Sequence, residues 1–167
     1  PATMVALGAL VLTLDLPTDE IRWWHLAAVA CSLAGDVFLM LPGSAMDTQR
    51  AFIGGLASFL VAHVFYTVGM ASLGVSPGLL GLGAVIAVGV VATVGVRVAA
   101  GARTVDPKLF VPVLAYVVII SVMIATSVGT GIAVGVAGAL LFGVSDSVLG
   151  WTRFLDDFPH SRVLVMV

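Results

Sequence analysis

Residues 23–41 read WWHLAAVACSLAGDVFLML, an apolar run whose one formally charged residue is Asp36. A run of this length can cross a membrane as a helix. The motif S-L-A-G-D-V-F-L within it has a near-repeat far along the chain, F-G-V-S-D-S-V-L, which contains Asp146. A carboxylate in hydrocarbon costs about 3 kcal/mol on insertion scales, so we expect each aspartate to face a protected cavity and to have a function.

The composition of the whole chain indicates a polytopic membrane protein. Hydrophobic residues make up 60%, charged residues 10%, and the mean hydropathy is +1.20, whereas soluble domains carry about a quarter of charged residues. The net charge of -2 comes without a basic run, which argues against nucleic-acid binding. The single cysteine, Cys31, cannot form an internal disulfide and has no metal-ligand neighbours in sequence.

Windows of about 19 residues predict an all-α transmembrane helical bundle of about seven spans, forming one domain over residues 1–167. The predicted spans are 2–15, 23–41, 51–73, 78–100, 109–127, 131–151 and a seventh from near Arg162 to Val167. Turn signals separate them, such as Pro42-Gly43-Ser44. Because the first span is short and the last is cut off, we expect a fragment that lacks residues at both ends.

The distribution of lysine and arginine predicts the orientation of the chain. One set of connections holds six of these residues, and the opposite set holds only Arg22. The six are Arg50, Arg97, Arg103, Lys108, Arg153 and Arg162. By the positive-inside rule the six-charge side is cytoplasmic, with the cell membrane as the expected location. Asp36 and Asp146 each lie five residues before the cytoplasmic end of a predicted span, or about 7 to 8 Å deep.

Small and polar residues surround both aspartates. Ser32 precedes Asp36 by four residues and shares its helix face, and Gly35 allows a neighbouring helix to approach. Around Asp146, a small residue recurs at every fourth position, which is typical of close helix packing. The members of this series are Gly131, Gly135, Ala139, Gly143 and Ser147. Arg153 follows Asp146 by seven residues, on nearly the same face at the membrane surface.

A third set of residues forms one stripe on the span 51–73. Phe52, Gly55, Phe59, His63 and Tyr66 are spaced 3, 4, 4 and 3 apart, so they lie on one side of a helix and bring an imidazole to mid-membrane. Tyr116, on the span 109–127, has a depth of about 10 Å. It is within reach of the aspartates if the helices are neighbours.

Three motifs together resemble the lysoplasmalogenase family, also called the YhhN-like family. They are S-L-A-G-D-V-F-L (32–39), F-x-x-G-L-x-x-F-x-x-x-H-x-x-Y (52–66) and F-G-V-S-D-S-V-L-G-W-T-R-F (142–154), in the family's order. The resemblance implies an eight-span protein that hydrolyses the vinyl ether bond of a lysoplasmalogen. The expected products are a fatty aldehyde and glycerophosphoethanolamine or glycerophosphocholine. Asp36, His63 and Asp146 match the family's polar motif positions.

The expected chemistry needs one acid and one base. Protonation of the β-carbon of a vinyl ether yields an oxocarbenium ion, which water traps before the hemiacetal collapses to an aldehyde. In glycoside hydrolysis two carboxyls act as proton donor and water activator around a similar cation. Asp36 and Asp146 are therefore the candidate catalytic pair, and either could be the acid. His63 would orient a carboxylate or the water, and Tyr66 or Tyr116 could hydrogen-bond to substrate. Arg153, or less securely Arg50, could hold the lipid phosphate.

Other interpretations of these residues remain open. Each aspartate could be a structural carboxyl between helices, and His63 could make an interhelical hydrogen bond. Tyr66 and Tyr116 could be packing residues. Arg50 and Arg153 could only set the topology. A proton-coupled transporter would also use intramembrane carboxylates and a histidine, and a non-catalytic scaffold is a third class. Metal motifs such as HExxH and CxxC are missing from the sequence, so we expect neither a metal nor a cofactor. Ser32, Ser145 and Ser147 lack the G-x-S-x-G context of a nucleophile.

Overall fold

A computed structural model describes residues 2–40 and 45–155 of this chain, and every regular element in these ranges is helical. The α-helices are α1 Ala2–Thr13, α2 Asp19–Met40, α3 Ala45–Ala71, α4 Pro77–Val90, α5 Val96–Val105, α6 Phe110–Thr130 and α7 Ala133–Phe154. A π-helical segment, Val91–Gly95, joins α4 to α5, and a short 3₁₀ turn, Pro107–Leu109, precedes α6. The all-α prediction is therefore confirmed.

Five helical segments among the described residues are long and apolar enough to cross a membrane, so the chain is a multi-pass integral membrane protein. They are Asp19–Met40, Thr48–Ala71, Pro77–Val105, Pro107–Thr130 and Ala133–Phe154. The first predicted span is the shorter helix α1, whose 12 residues extend about 18 Å. The predicted seventh span and the predicted turn 42–44 lie outside the described residues.

Several helix ends differ from the predicted bounds. Helix α5 continues to Val105, so Arg103 lies within a helix and not in the predicted connection. Helix α7 ends at Phe154, three residues later than predicted, and Asp146 is therefore eight residues from its end. Hydropathy windows end where charge appears, whereas the helix continues as long as its backbone hydrogen bonds are made.

The helices group into two units, one ending at Leu73 and one starting at Gly74. In the first unit, α2 begins where the Thr18 hydroxyl accepts a hydrogen bond from the Ile21 amide at 3.3 Å, and acidic residues occupy its first turn. Helix α2 packs along α3. A Cβ atom at Gly35 would lie 2.6 Å from the Phe59 ring, so glycine is required for this approach.

The second unit contains α4 to α7, with α6 packed against each of the other three helices. Gly95, at the end of the π segment, faces Val117 of α6, where an added Cβ would lie 2.6 Å from Val117 Cγ1. Helix α6 ends at Gly131, whose φ of 69° is the left-handed conformation of a helix C-cap. The chain then turns back into α7, which packs on α6 and α5.

Large apolar side chains cover the outside of these helices. Val134 is 85% exposed and Val85 is 71% exposed. A soluble monomer seldom exposes so extensive an apolar surface. Hydrocarbon solvates such residues in a membrane. The prediction of one domain over residues 1–167 stays a prediction.

Candidate active site

In the second unit, Tyr116 and Asp146 form a direct pair. The Tyr116 hydroxyl on α6 donates a hydrogen bond of 2.6 Å to Asp146 Oδ2 on α7. Both side chains are half-buried. A bond of this length is typical of a phenol that donates to a carboxylate, which is stronger than a bond between neutral groups. It holds the carboxyl in one orientation.

Close helix packing positions this pair. Gly95 lets the π segment contact Val117, the residue after Tyr116. On the other side, Gly143 of α7 faces Ile124 of α6, where an added Cβ would lie 2.9 Å from the Ile124 Cδ1 atom. Gly143 belongs to the predicted series of small residues, and its neighbour in that series, Ala139, is also buried. The series therefore brings α7 close enough to α6 for the hydrogen bond.

Ser147, the residue after Asp146, does not present a nucleophile. The Ser147 hydroxyl donates to the carbonyl oxygen of Gly143 at 2.6 Å, one turn back in its own helix. Ser145 is half-buried. An attacking serine needs a base within hydrogen-bond reach of its hydroxyl, and Ser147 directs its hydroxyl to the backbone instead.

In the first unit, His63 occupies the interior between α2 and α3. Its side chain is fully buried, at 0% exposure, and Nδ1 lies 2.5 Å from the carbonyl oxygen of Phe59. Because a carbonyl only accepts, Nδ1 carries the proton in this bond. The predicted stripe is the packed face of α3, since Phe52 and Phe59 are also buried.

Tyr66 continues this interior face toward the other end of α3. Ser32, on α2, is fully buried and lies beside the Tyr66 hydroxyl, in a geometry short of a full hydrogen bond. The His25 ring meets Tyr66 edge-on, with centroids 6.2 Å apart, and His25 Nδ1 donates to the Ile21 carbonyl at 2.8 Å. Sequence reasoning missed His25, although it precedes Ser32 by seven residues and so shares its helix face.

Asp36 is half-buried on α2, one turn after Ser32 and next to Gly35. The first unit thus brings together Ser32, His63 and Tyr66 on two packed helices, and the second brings together Tyr116 and Asp146. The pairing of Asp36 with Asp146, and their common depth, stay predictions.

The two candidate phosphate ligands are both exposed. Arg153 lies near the end of α7, and Arg50 lies in the first half of α3. Their role with a lipid phosphate stays a prediction. No group of three or more His, Cys, Asp or Glu side chains placed to hold a metal ion is found within residues 2–40 and 45–155.

Comparisons with known proteins place these residues in a family. The model of the YhhN family matches residues 1–167. The human protein named lysoplasmalogenase TMEM86B is 32% identical over 139 residues, which cover 83% of this chain and 55% of that protein. The rat protein of the same name is 29% identical over 150 residues, covering 90% and 58%. The chain thus spans somewhat more than half the length of these relatives. No solved structure matches it.

Proposed function

Since this chain belongs to the YhhN family, we propose that it hydrolyses the vinyl ether bond of lysoplasmalogens within the membrane. The substrate is a lysophospholipid, and the products are a fatty aldehyde and glycerophosphoethanolamine or glycerophosphocholine. The relatives are named lysoplasmalogenases, and the hydrogen bond from Tyr116 to Asp146 is the observation that supports the mechanism most directly.

The proposed reaction consumes one water molecule. An acid donates a proton to the β-carbon of the alkenyl chain, and the positive charge develops on the α-carbon and the ether oxygen. A base removes a proton from water as its oxygen bonds to the α-carbon. The hemiacetal hydroxyl then returns its proton to the carboxylate that acted as the acid, the C–O bond to glycerol breaks, the carboxyl that took the proton from water protonates the leaving glycerol oxygen, and the aldehyde is released. The acid and base exchange roles between steps, so the enzyme returns to its starting state.

Tyr116 suggests which carboxyl has which role. A phenol that donates to a carboxyl oxygen favours the ionised form as its acceptor. In this proposal Asp146 activates the water and stabilises the cation electrostatically as a carboxylate, and Asp36 is the acid. His63 orients Asp36 or the water, Tyr66 hydrogen-bonds to the substrate, and Arg153 holds its phosphate on the cytoplasmic side.

Aldehyde release from a lysoplasmalogen by the full-length protein in proteoliposomes tests this proposal. Asp36→Asn and Asp146→Asn should each lower kcat at least 100-fold, because general acid-base catalysis contributes about 10² to 10⁴. Asp19→Asn, which removes an exposed carboxylate from the same helix as Asp36, should leave the rate unchanged. Near-normal turnover by either test variant removes that aspartate from the mechanism.

A proton-coupled transporter is the second candidate. His25, Tyr66, Ser32 and His63 place ionisable and hydroxyl groups along the α2–α3 pair, and such groups occur in proton relays. Proton uptake by proteoliposomes that show no lipid hydrolysis would favour this function over the first.

A further inference from the structure

Two side chains hydrogen-bond to backbone carbonyls in and just before the π segment Val91–Gly95. The Thr93 hydroxyl donates to the Gly89 carbonyl at 2.7 Å, and the Arg97 guanidinium donates from Nη1 to the Thr93 carbonyl. Within the segment, a backbone hydrogen bond joins residues five apart. An extra residue shifts carbonyls away from their α-helical partners, and in a membrane a side chain can supply the donor instead. The Arg97 guanidinium has this role at Thr93.

The π segment determines which residues of its span face α6 and α7. Gly95 faces Val117 of α6, where an added Cβ would lie 2.6 Å from Cγ1. Gly101 faces the backbone of Phe154 in α7, where an added Cβ would lie 2.7 Å from the carbonyl oxygen. Both places therefore suit a glycine and no larger residue.

A straight α-helix would bring larger residues to these two places. The π segment contains one residue more than an α-helix of equal length, so without it each residue from the end of the segment onward would lie one position further along the axis. Val94 would then take the place of Gly95, and Ala100 would take the place of Gly101. The close packing of this span on α6 and α7 therefore depends on the π register.

Val117 connects this packing to the candidate active site. It follows Tyr116 in α6, and the Tyr116 hydroxyl donates to Asp146 across an oxygen–oxygen distance of 2.6 Å. A larger residue opposite Val117 would push α6 at this point. A shift of about 1 Å is enough to take the two oxygens beyond hydrogen-bond length.

The direction of the Arg97 side chain fits a structural role for its charge. Arg97 is exposed and lies eight residues before the end of the membrane-spanning segment Pro77–Val105. The bond to Thr93 turns the guanidinium toward the middle of the span, where a cation is more costly. A carbonyl acceptor offsets part of that cost, because an unsatisfied backbone group in hydrocarbon is also costly.

We propose that Arg97 is a positioning residue that keeps Tyr116 in place for its bond to Asp146. The guanidinium, bound to the Thr93 carbonyl, stabilises the π register, and this register keeps a glycine against the residue that follows Tyr116. Arg97 acts through the helix backbone and does not touch the substrate. Its kinetic consequence rests on the proposed function, whereas its effect on the helix register does not.

Aldehyde release by the full-length protein in proteoliposomes tests the kinetic consequence. Arg97→Met keeps an unbranched side chain and removes the donor, so kcat should fall about tenfold while KM changes less than about twofold. Arg97→Lys, which keeps a donor, should recover most of the rate. The matched control is Arg103→Met, which removes a charge from the same helix, where the guanidinium lies 5.7 Å from the centre of the Phe110 ring. It should leave the rate unchanged.

Deletion of Ala92 separates the register from a general loss of stability. Ala92 is exposed within the π segment, and its removal leaves a straight helix in which both glycines keep their places. Arg97→Met should therefore have no effect on kcat in the deletion variant, and no further effect in Tyr116→Phe. An equal loss with and without the deletion would overturn the proposal, and so would a wild-type rate in Arg97→Met.

A disulfide assay measures the register without any activity. In a protein whose other cysteines, including Cys31, are changed to serine, Val94→Cys and Val117→Cys should crosslink more readily when position 94 takes the place of Gly95. Adding Arg97→Met should raise the rate of crosslinking about tenfold, and an unchanged rate would overturn the proposal. A raised rate in a protein whose wild type releases no aldehyde would remove the proposed function and leave the role of Arg97 in the π register standing.

Discussion

Tyr116→Phe removes one oxygen atom and keeps the ring that packs between α6 and α7. The oxygen donates the 2.6 Å hydrogen bond to Asp146 Oδ2. Hydrogen bonds to charged groups contribute about 1.5 to 3 kcal/mol. If about 2 kcal/mol of this orients the carboxylate in the transition state, kcat should fall about 30-fold, because each 1.36 kcal/mol is a factor of ten.

The assay is aldehyde release from a lysoplasmalogen in proteoliposomes, with kcat and KM measured separately. Tyr116 is proposed to position Asp146 and not to bind the substrate, so KM should change less than twofold while kcat falls. The thermal unfolding midpoint of the variant, measured in the same detergent as wild type, shows whether a folding defect contributes to the lower rate.

A double-mutant cycle distinguishes positioning from an independent effect. If Tyr116 acts through Asp146, the variant with both Tyr116→Phe and Asp146→Asn should be no slower than Asp146→Asn alone. Additive losses would refute this reasoning, and so would a Tyr116→Phe variant with wild-type kcat. A large rise in KM with unchanged kcat would instead make Tyr116 a substrate ligand.

Two further predictions concern glycine contacts. Gly35→Ala should destabilise the protein by about 1 to 3 kcal/mol, because the added Cβ would lie 2.6 Å from the Phe59 ring. The measurement is the thermal unfolding midpoint, which should fall. Gly8→Ala, whose added Cβ has its nearest neighbour at 3.5 Å, is the control, and equal midpoints of the two variants would contradict the packing argument. Gly95→Ala should lower kcat for aldehyde release, because the added Cβ would clash with Val117, the residue next to Tyr116. Gly89→Ala in the same span is the control, since its added Cβ has no neighbouring atom within 4 Å. Equal rates in the two variants would show that the Gly95–Val117 contact does not position Tyr116 and Asp146.

The sequence predicted those features that depend on helix periodicity. The spacing of the α3 stripe identified a packed face, and Phe52, Phe59 and His63 are buried as that spacing requires. Depth counting placed Tyr116 within reach of an aspartate, but it could not choose the partner. The partner follows from which helices adjoin, and the Gly95–Val117 and Gly143–Ile124 contacts decide this in the second unit. His25 lies outside the motif around Asp36, which begins at Ser32, so the motif did not predict its place on this face.

The π segment had no recognisable signal in the sequence. In a π turn each backbone hydrogen bond joins residues five apart instead of four, as in the bond from the Val96 amide to the Val91 carbonyl. Val91–Gly95 contains no proline to mark this turn. This irregular turn lies inside the single span Pro77–Val105. Backbone irregularity without proline depends on tertiary packing, here on the Gly95 contact with α6.

Arg97 contributes its charge to the predicted orientation and also makes a hydrogen bond within its own helix. For the positive-inside rule it counts as one of six residues on one side, and this count still applies, because residues near the end of a span contribute to the bias. Its bond to Thr93, however, folds the side chain back along the helix and away from the nearer helix end, whereas an arginine that only sets topology would extend toward that end. Arg97→Gln should therefore leave the predicted orientation unchanged, because five basic residues still favour it.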